Sequence, residues 1–367
     1  MTARARPPVI DADAHVVEAN HTWDYLEPSQ AKYRPVLADH PSDPTRSAWL
    51  IDGQPGVGFV TEFPEVEEIE KISQRAGRNM TTERASRELA DVALRLSHMD
   101  DIGVDIQVLH NSMFLFRRTA DPDAEAALCR AWNRWMADVW QSANGRLRWV
   151  CIIPTLMLDE AIVQMREAKD NGAVGVFLRP FDDDRVVIDP YYYPIFEEAS
   201  RLGLAATVHQ ANGNEANCDL FWGMDAKLST KAFAMNRAPT MMACMFLVMS
   251  EVPTLFPNLR WAFIEASAQW MPWVFIEASR RFRAEGQEFP GDVFARCNTF
   301  VTCQTDDDVP WILRYAGDSC LIIGTDYGHI DPASELDAIS LLNARADIDD
   351  PTKDRILRHN PSALFAL

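Results

Sequence analysis

Eight short runs rich in β-branched and other apolar residues, at 9–17, 104–110, 148–155, 173–180, 204–210, 260–267, 298–304 and 320–327, alternate along the chain with longer segments of helical spacing. A strand, a helix and a second strand in succession place the two strands side by side in parallel, with the helix crossing over one face of the sheet. The helical segments are expected at 82–102, 124–141, 159–171, 190–202, 241–251, 273–283, 309–315 and 334–344. Eight such units are the count of a (β/α)8 TIM barrel, which 367 residues can form as one domain spanning 1–367. Two stretches interrupt the repeat. Residues 40–80, with Pro, Gly and acidic residues and a short apolar segment at 57–60, read as an insertion after strand 1. Residues 211–238, with Asn, Gly and Lys, read as an irregular loop after strand 5.

Composition narrows the partners. The chain carries 35 Lys and Arg against 54 Asp and Glu, a formal charge of −19, which is the wrong sign for attraction to nucleic acid or an anionic membrane surface. The longest strongly apolar run, 241–249, falls short of the roughly 20 residues that cross a bilayer, so no membrane span is expected. Residues 1–8 hold two arginines and no apolar signal region, and the seven cysteines (129, 151, 218, 244, 297, 303 and 320) are odd in number without a Cys-x-x-Cys pair. Both features lead to the expectation of a cytoplasmic chain with reduced thiols and no Cys-rich zinc site. No Gly-x-Gly-x-x-Gly, P-loop or Gly-x-Ser-x-Gly pattern occurs, so neither a nucleotide cofactor nor a serine nucleophile is indicated.

The ends of the runs carry the chemistry. Asp13 and His15 end the first, His110 the second, Arg179 the fourth, His209 the fifth, Glu265 the sixth and Asp326 the eighth. Catalytic groups of such barrels come from the C-terminal ends of several strands, so these residues are expected around one pocket. In Asp11-Ala12-Asp13-Ala14-His15 alternate residues share a strand face, which lets Asp13 and His15 point inward together. With His209 and Asp326 they make two imidazoles and two carboxylates, a set that suits one divalent cation, Zn²⁺ first and Mn²⁺ second. Glu265 is expected as a base for water, a substrate contact or a partner of Arg179; Arg179 as a bidentate clamp on a substrate carboxylate; His329 and His110 as acid-base or substrate-binding groups. Asp11 and Glu18 are expected to orient the first strand or a ligand, and Trp132, Trp135 and Val139 to pack a helix on the barrel.

These residues give the chain a resemblance to the amidohydrolase superfamily, in the amidohydrolase-2 branch that includes aminocarboxymuconate-semialdehyde decarboxylase. The matching segments are Ile10-Asp11-Ala12-Asp13-Ala14-His15-Val16-Val17-Glu18, Met99-Asp100-Asp101-Ile102-Gly103-Val104-Asp105, 204–209, Phe256-Pro257-Asn258-Leu259-Arg260, Gly324-Thr325-Asp326-Tyr327-Gly328-His329 and Asn360. The resemblance implies one metal ion at the top of a barrel, held by Asp13, His15, His209 and Asp326, and a homo-oligomer, a dimer. Two departures stand out. Many relatives carry His-x-His on strand 1 where this chain has Asp-x-His, closer to the Glu-x-His of certain aromatic-acid decarboxylases. Relatives that decarboxylate usually present a His on strand 6, where this chain has Glu265.

Three functions follow. The first is metal-dependent hydrolysis of a small aromatic or conjugated acid or amide, with Asp326 taking the proton of a metal-activated water and Glu265 or His329 assisting the leaving group. The alternative is non-oxidative decarboxylation of an aromatic or dienoic acid, with Asp326 protonating the carbon that loses carbon dioxide. Asp-x-His favours that alternative and Glu265 argues against it. The third is a metal-binding barrel without catalysis, against which an open pocket beside His110, Arg179 and His329 argues.

Overall fold

The structure, a computed structural model, describes residues 7–40, 43–51, 53 and 63–367. Its centre is a sheet of eight parallel strands in chain order: β1 (Ile10–His15), β2 (Ile106–His110), β3 (Leu147–Cys151), β4 (Ala173–Leu178), β5 (Ala205–His209), β6 (Trp261–Ile264), β7 (Thr299–Cys303) and β8 (Leu321–Ile323). Seven of the eight lie within their expected runs, β3 starts one residue ahead of its run, and all eight are shorter than expected. The ring closes just beyond β8, where the His15 amide donates to the Tyr327 carbonyl (2.8 Å) and the Asp326 amide to the Asp13 carbonyl (2.7 Å). Gly324 permits this approach: a Cβ there would stand 2.1 Å from the Asp13 Cβ and 2.8 Å from its backbone nitrogen.

Eight helices follow the strands in turn: α1 (Val92–Asp101), α2 (Pro122–Ser142), α3 (Leu158–Asp170), α4 (Tyr193–Leu202), α5 (Ala238–Met249), α6 (Met271–Ala284), α7 (Val309–Ala316) and α8 (Ala338–Ala344). Their starts are written in the sequence. Asp121 accepts from the Asp123 and Ala124 amides ahead of Pro122, and Asp308 accepts from the Trp311 amide ahead of α7. The apolar faces bury Trp132, Trp135 and Val139 on α2, as expected, and Phe196 on α4, whose ring meets Trp261 of β6 edge to face at 5.0 Å. All seven cysteines are buried and free.

Four expectations change. The helix expected over 82–102 is two: a turn at Arg84–Arg87 and then α1, separated by Leu89 at φ 52°, after which Asp91 caps the new start by accepting from Leu94. The insertion begins earlier than residue 40, with an antiparallel hairpin of Val36–His40 and Asp43–Leu50, and later holds a helix at Val66–Ala76 ended by Gly77 in the left-handed region. Its apolar segment at 57–60 lies outside the described residues. The stretch 211–238 is not irregular: it contains helices at Glu215–Trp222 and Leu228–Ala232 and a wide turn at Phe233–Arg237 that runs straight into α5. That continuity makes Leu228–Met249 a 22-residue helical segment with a mean hydropathy of 1.2 in its most apolar window, long and apolar enough by those measures to cross a bilayer, contrary to the expectation drawn from the nine-residue run. One face of it, including Ala243, Cys244 and Leu247, packs on the barrel, while Leu228, Phe233 and Met242 are exposed.

Candidate metal centre

The strand ends converge as the alternation requires. One ligand atom from each of Asp13, His15, His209 and Glu265 lies within 4.8 Å of all the others, and so do those of His15, Glu265, Asp326 and His329. His15 Nε2 is the hub: it stands 3.1 Å from His209 Nε2, 3.5 Å from Asp13 Oδ1, 3.6 Å from Glu265 Oε2 and 3.5 Å from Asp326 Oδ1. His209 Nε2 lies 3.4 Å from Asp13 Oδ1 and 3.5 Å from Glu265 Oε2.

The chemistry of this donor set fits a divalent cation. His15 Nδ1 stands 2.9 Å from the Asn111 carbonyl and His209 Nδ1 3.4 Å from the Gln210 carbonyl, so each ring carries its proton on that side and turns the Nε2 lone pair inward. Burial, reinforced by the neighbouring His329, holds His15 well below the ordinary histidine range and hence neutral. Asp13 Oδ1 and Glu265 Oε2 are buried without a hydrogen-bond donor. The Nε2 lone pairs of His15 and His209 and the carboxylate oxygens of Asp13 and Glu265 therefore face one point, an arrangement that repels itself unless a cation is bound. Burial pushes Asp326 up to about 7, and burial with the Asp326 charge pushes Glu265 well above the usual range. Burial raises Asp13 as well, but the imidazoles of His15 and His209 beside it outweigh burial and hold that group low.

Surrounding residues fix the geometry. Asp11 accepts from the Thr325 amide (2.9 Å) and hydroxyl (2.6 Å) and from Gln107 Nε2 (2.9 Å), which ties β1 to both its neighbours. Glu18 accepts from the Ser112 and Met113 amides and from Trp132 Nε1 (2.9 Å), so the helix-packing tryptophan also positions the loop after β2. Glu265 at φ 65° and Asp326 at φ 50° adopt left-handed backbone, which costs a non-glycine residue about 1–3 kcal/mol and is retained where a site needs it.

His329 sits at the edge of the cluster. Its Nδ1 lies 2.9 Å from Asp326 Oδ1, its Nε2 2.8 Å from the Ser112 hydroxyl, and its ring stacks on His15 with centroids 3.7 Å apart. Burial opposes its charge, but Asp326 outweighs burial and raises it. With Ser112, Phe63, Phe116, Gln210 and Asp331 it lines a cavity of about 270 Å³, at the small end for ligand sites.

Two expected pocket residues stand elsewhere. Arg179 does not reach the cavity: its guanidinium donates to Asp182 Oδ2 at 2.7 Å and to the Phe114 carbonyl at 2.9 Å, and it is no partner of Glu265. Burial opposes its charge, and Asp182 more than offsets that. The position at a strand end is visible in the sequence; that the carboxylate three residues later occupies it is not. Replacing Arg179 by Gln is accordingly expected to destabilise the protein by about 3–5 kcal/mol in urea denaturation, because a buried carboxylate loses its partner, while KM stays unchanged. A large rise in KM with full stability would restore the clamp. His110 lies inside the barrel, its Nε2 3.2 Å from the Ala12 carbonyl and its ring 4.9 Å from that of His209; burial lowers it to about 3, so it is a neutral support beneath the cluster. Ser112, Gln210, Asp331 and Ser334, whose hydroxyl donates to Asp326 Oδ2 at 2.6 Å, were missed. Only Ser112 and Gln210 had a signal, each following closely on a histidine that ends a strand.

Comparison with known proteins agrees with this architecture. The family model described as amidohydrolase matches residues 10–367. A curated relative, 2-amino-3-carboxymuconate-6-semialdehyde decarboxylase of Dictyostelium discoideum, is 21% identical over 290 residues, covering 76% of this chain and 77% of that protein. Among solved structures, an amidohydrolase from Mycobacterium avium subsp. paratuberculosis K-10 superposes with a TM-score of 0.79 at 18% identity over 100% of this chain and 99% of its own. The 5-carboxyvanillate decarboxylase of Novosphingobium aromaticivorans DSM 12444, complexed with manganese and 4-hydroxy-3-methoxy-5-nitrobenzoic acid, superposes with a TM-score of 0.66 at 14% identity over 100% of both chains. The barrel, the buried imidazole and carboxylate cluster at its strand ends and the match over residues 10–367 together make this chain an enzyme of the metal-dependent amidohydrolase family.

Proposed function

We propose that the enzyme is a metal-dependent decarboxylase that releases carbon dioxide, without oxidation, from a small aromatic or conjugated carboxylic acid. The observation that carries this reading is the line from Asp326 Oδ1 through His329 to the Ser112 hydroxyl, at 2.9 and 2.8 Å, along the wall of the 270 Å³ cavity. Decarboxylation replaces a bond to carbon dioxide with a bond to hydrogen, so it needs one proton delivered beside the substrate ring. The Asp326–His329 ion pair, with Oδ1 and Nδ1 2.9 Å apart, places a group able to supply that proton next to the cavity. Phe63, whose ring lies nearly parallel to that of His329 (14°, centroids 5.9 Å apart), and Phe116 offer flat apolar walls to a conjugated acid. No Arg or Lys lines the cavity among the described residues, so the reacting carboxylate has no side-chain cation to bind and turns to the metal centre instead.

Asp13, His15, His209 and Asp326 would hold the cation, which when bound supplies a Lewis acid for the substrate's oxygens. Zn²⁺ and Mn²⁺ both suit this set, and manganese in the Novosphingobium decarboxylase supports the second. The named decarboxylases among the relatives favour this reading over hydrolysis. The sequence ranked hydrolysis first because Glu265 stood ready as an extra base; in the structure Glu265 faces His15 and His209 and is absent from the cavity wall. The test is carbon dioxide release from a panel of hydroxybenzoates and dienoic acids in deuterated water. We expect release with one deuterium at the vacated carbon; cleavage of amides or esters by a protein that releases no carbon dioxide would return the assignment to a hydrolase.

A further inference from the structure

We propose that Glu265 is itself a metal ligand, which makes the centre one of three carboxylates and two imidazoles and tilts it toward Mn²⁺ over Zn²⁺. The inference rests on the metal-centre reading above and deepens it. Position is the first argument. Glu265 Oε2 lies 3.6 Å from His15 Nε2 and 3.5 Å from His209 Nε2, the same reach as Asp13 Oδ1, at 3.5 and 3.4 Å. Orientation is the second. Gln210 Nε2 donates to Oε1, and the Glu265 amide donates to the Thr302 hydroxyl at 2.7 Å, which fixes the residue in its left-handed backbone and leaves Oε2 as the atom turned to the imidazoles. Oε2 is buried and has no donor.

The competing roles fit less well. A salt bridge with Arg179 is ruled out, since that guanidinium is engaged by Asp182. A general base must reach the substrate's proton, and Glu265, 2% exposed, does not line the cavity. The consequence for the ion follows from donor hardness. A third carboxylate raises the share of hard oxygen donors and the donor number from four to five, which favours a cation of higher coordination number such as Mn²⁺ over tetrahedral Zn²⁺.

Metal affinity tests this directly. Wild type, Glu265→Gln and Asp13→Asn are equilibrated with buffered Mn²⁺ or Zn²⁺ in parallel, and bound metal is measured by elemental analysis, with circular dichroism as the check on folding. Glu265→Gln is expected to weaken Mn²⁺ binding by about 10²-fold or more and Zn²⁺ binding by less. Asp13→Asn is expected to weaken both. If Glu265→Gln binds Mn²⁺ as wild type does while Asp13→Asn does not, Glu265 is no ligand and the metal centre stands without it. If wild type binds neither ion, the metal-centre reading falls with it. Should the Gln variant fail to fold, a crystal structure of the Mn²⁺-loaded wild type decides: Oε2 within bonding distance of the ion upholds the assignment, and Oε2 turned away overturns it.

Discussion

Asp326→Asn is expected to cut kcat by about 10³-fold or more while leaving the barrel folded. The substitution is close to isosteric, and Asn tolerates the left-handed backbone that Asp326 adopts at φ 50°. The Ser334 hydroxyl, 2.6 Å from Oδ2, can still donate to an amide oxygen. What is lost is charge at two places. Oδ1 no longer offers an anionic oxygen to the cluster 3.5 Å from His15 Nε2, and it no longer pairs as an anion with His329 Nδ1 at 2.9 Å. Because Asp326 does most to raise His329, ahead of Asp331 and Asp13, the variant should also keep His329 neutral to lower pH. Carbon dioxide release under saturating substrate measures the first effect and circular dichroism the integrity of the fold. Turnover at the wild-type rate in the folded variant would remove Asp326 from the reaction.

Removing the metal is expected to abolish turnover and to lower the melting temperature as well. A ligand present at about 1,000 times its Kd stabilises the folded state by about 4 kcal/mol. For a chain of this length, with an unfolding entropy near 2 cal/mol/K per residue, that corresponds to a Tm shift of about 5 °C. The sign follows from two carboxylates and two inward lone pairs gathered within 4.8 Å of one another, which repel one another without a cation. Calorimetry on chelator-treated protein, before and after addition of Mn²⁺ or Zn²⁺, gives the shift, and carbon dioxide release on the same samples gives the activity. Equal melting temperatures and equal rates with and without metal would contradict the assignment.

The alternation of strand and helix was legible because barrel strands are buried on both faces and so read as short apolar runs, while the surrounding helices keep one polar face. The ends of those runs also exposed Asp13, His15, His209, Glu265 and Asp326, since burial alone would have filled them with apolar residues. Partnership was not legible. Arg179 and Glu265 end strands in the same way, yet one is closed off by Asp182 and the other turns toward two imidazoles. That difference depends on the side chains of β1, β4, β5 and β6 meeting in space. Helix continuity was hidden too. The turn at Phe233–Arg237 lacks a periodic apolar stripe, so the segment from Leu228 to Met249 looked like a loop followed by a short helix. Ser334 had no signal at all: it reaches Asp326 only because the chain after β8 folds back over the barrel mouth.

The joint between β1 and the end of β8 differs from the other seven. Beyond Ile323 it is carried by backbone bonds at Asp13, His15, Asp326 and Tyr327. The proposed ligands Asp13 and His15 stand on one side of it and Asp326 on the other. A cation bound there would work as a rivet through the seam of a rolled sheet, joining the two ends of the chain's strand order. Metal binding would then brace the barrel at the same joint that carries its site, so that stability and chemistry would depend on one ion.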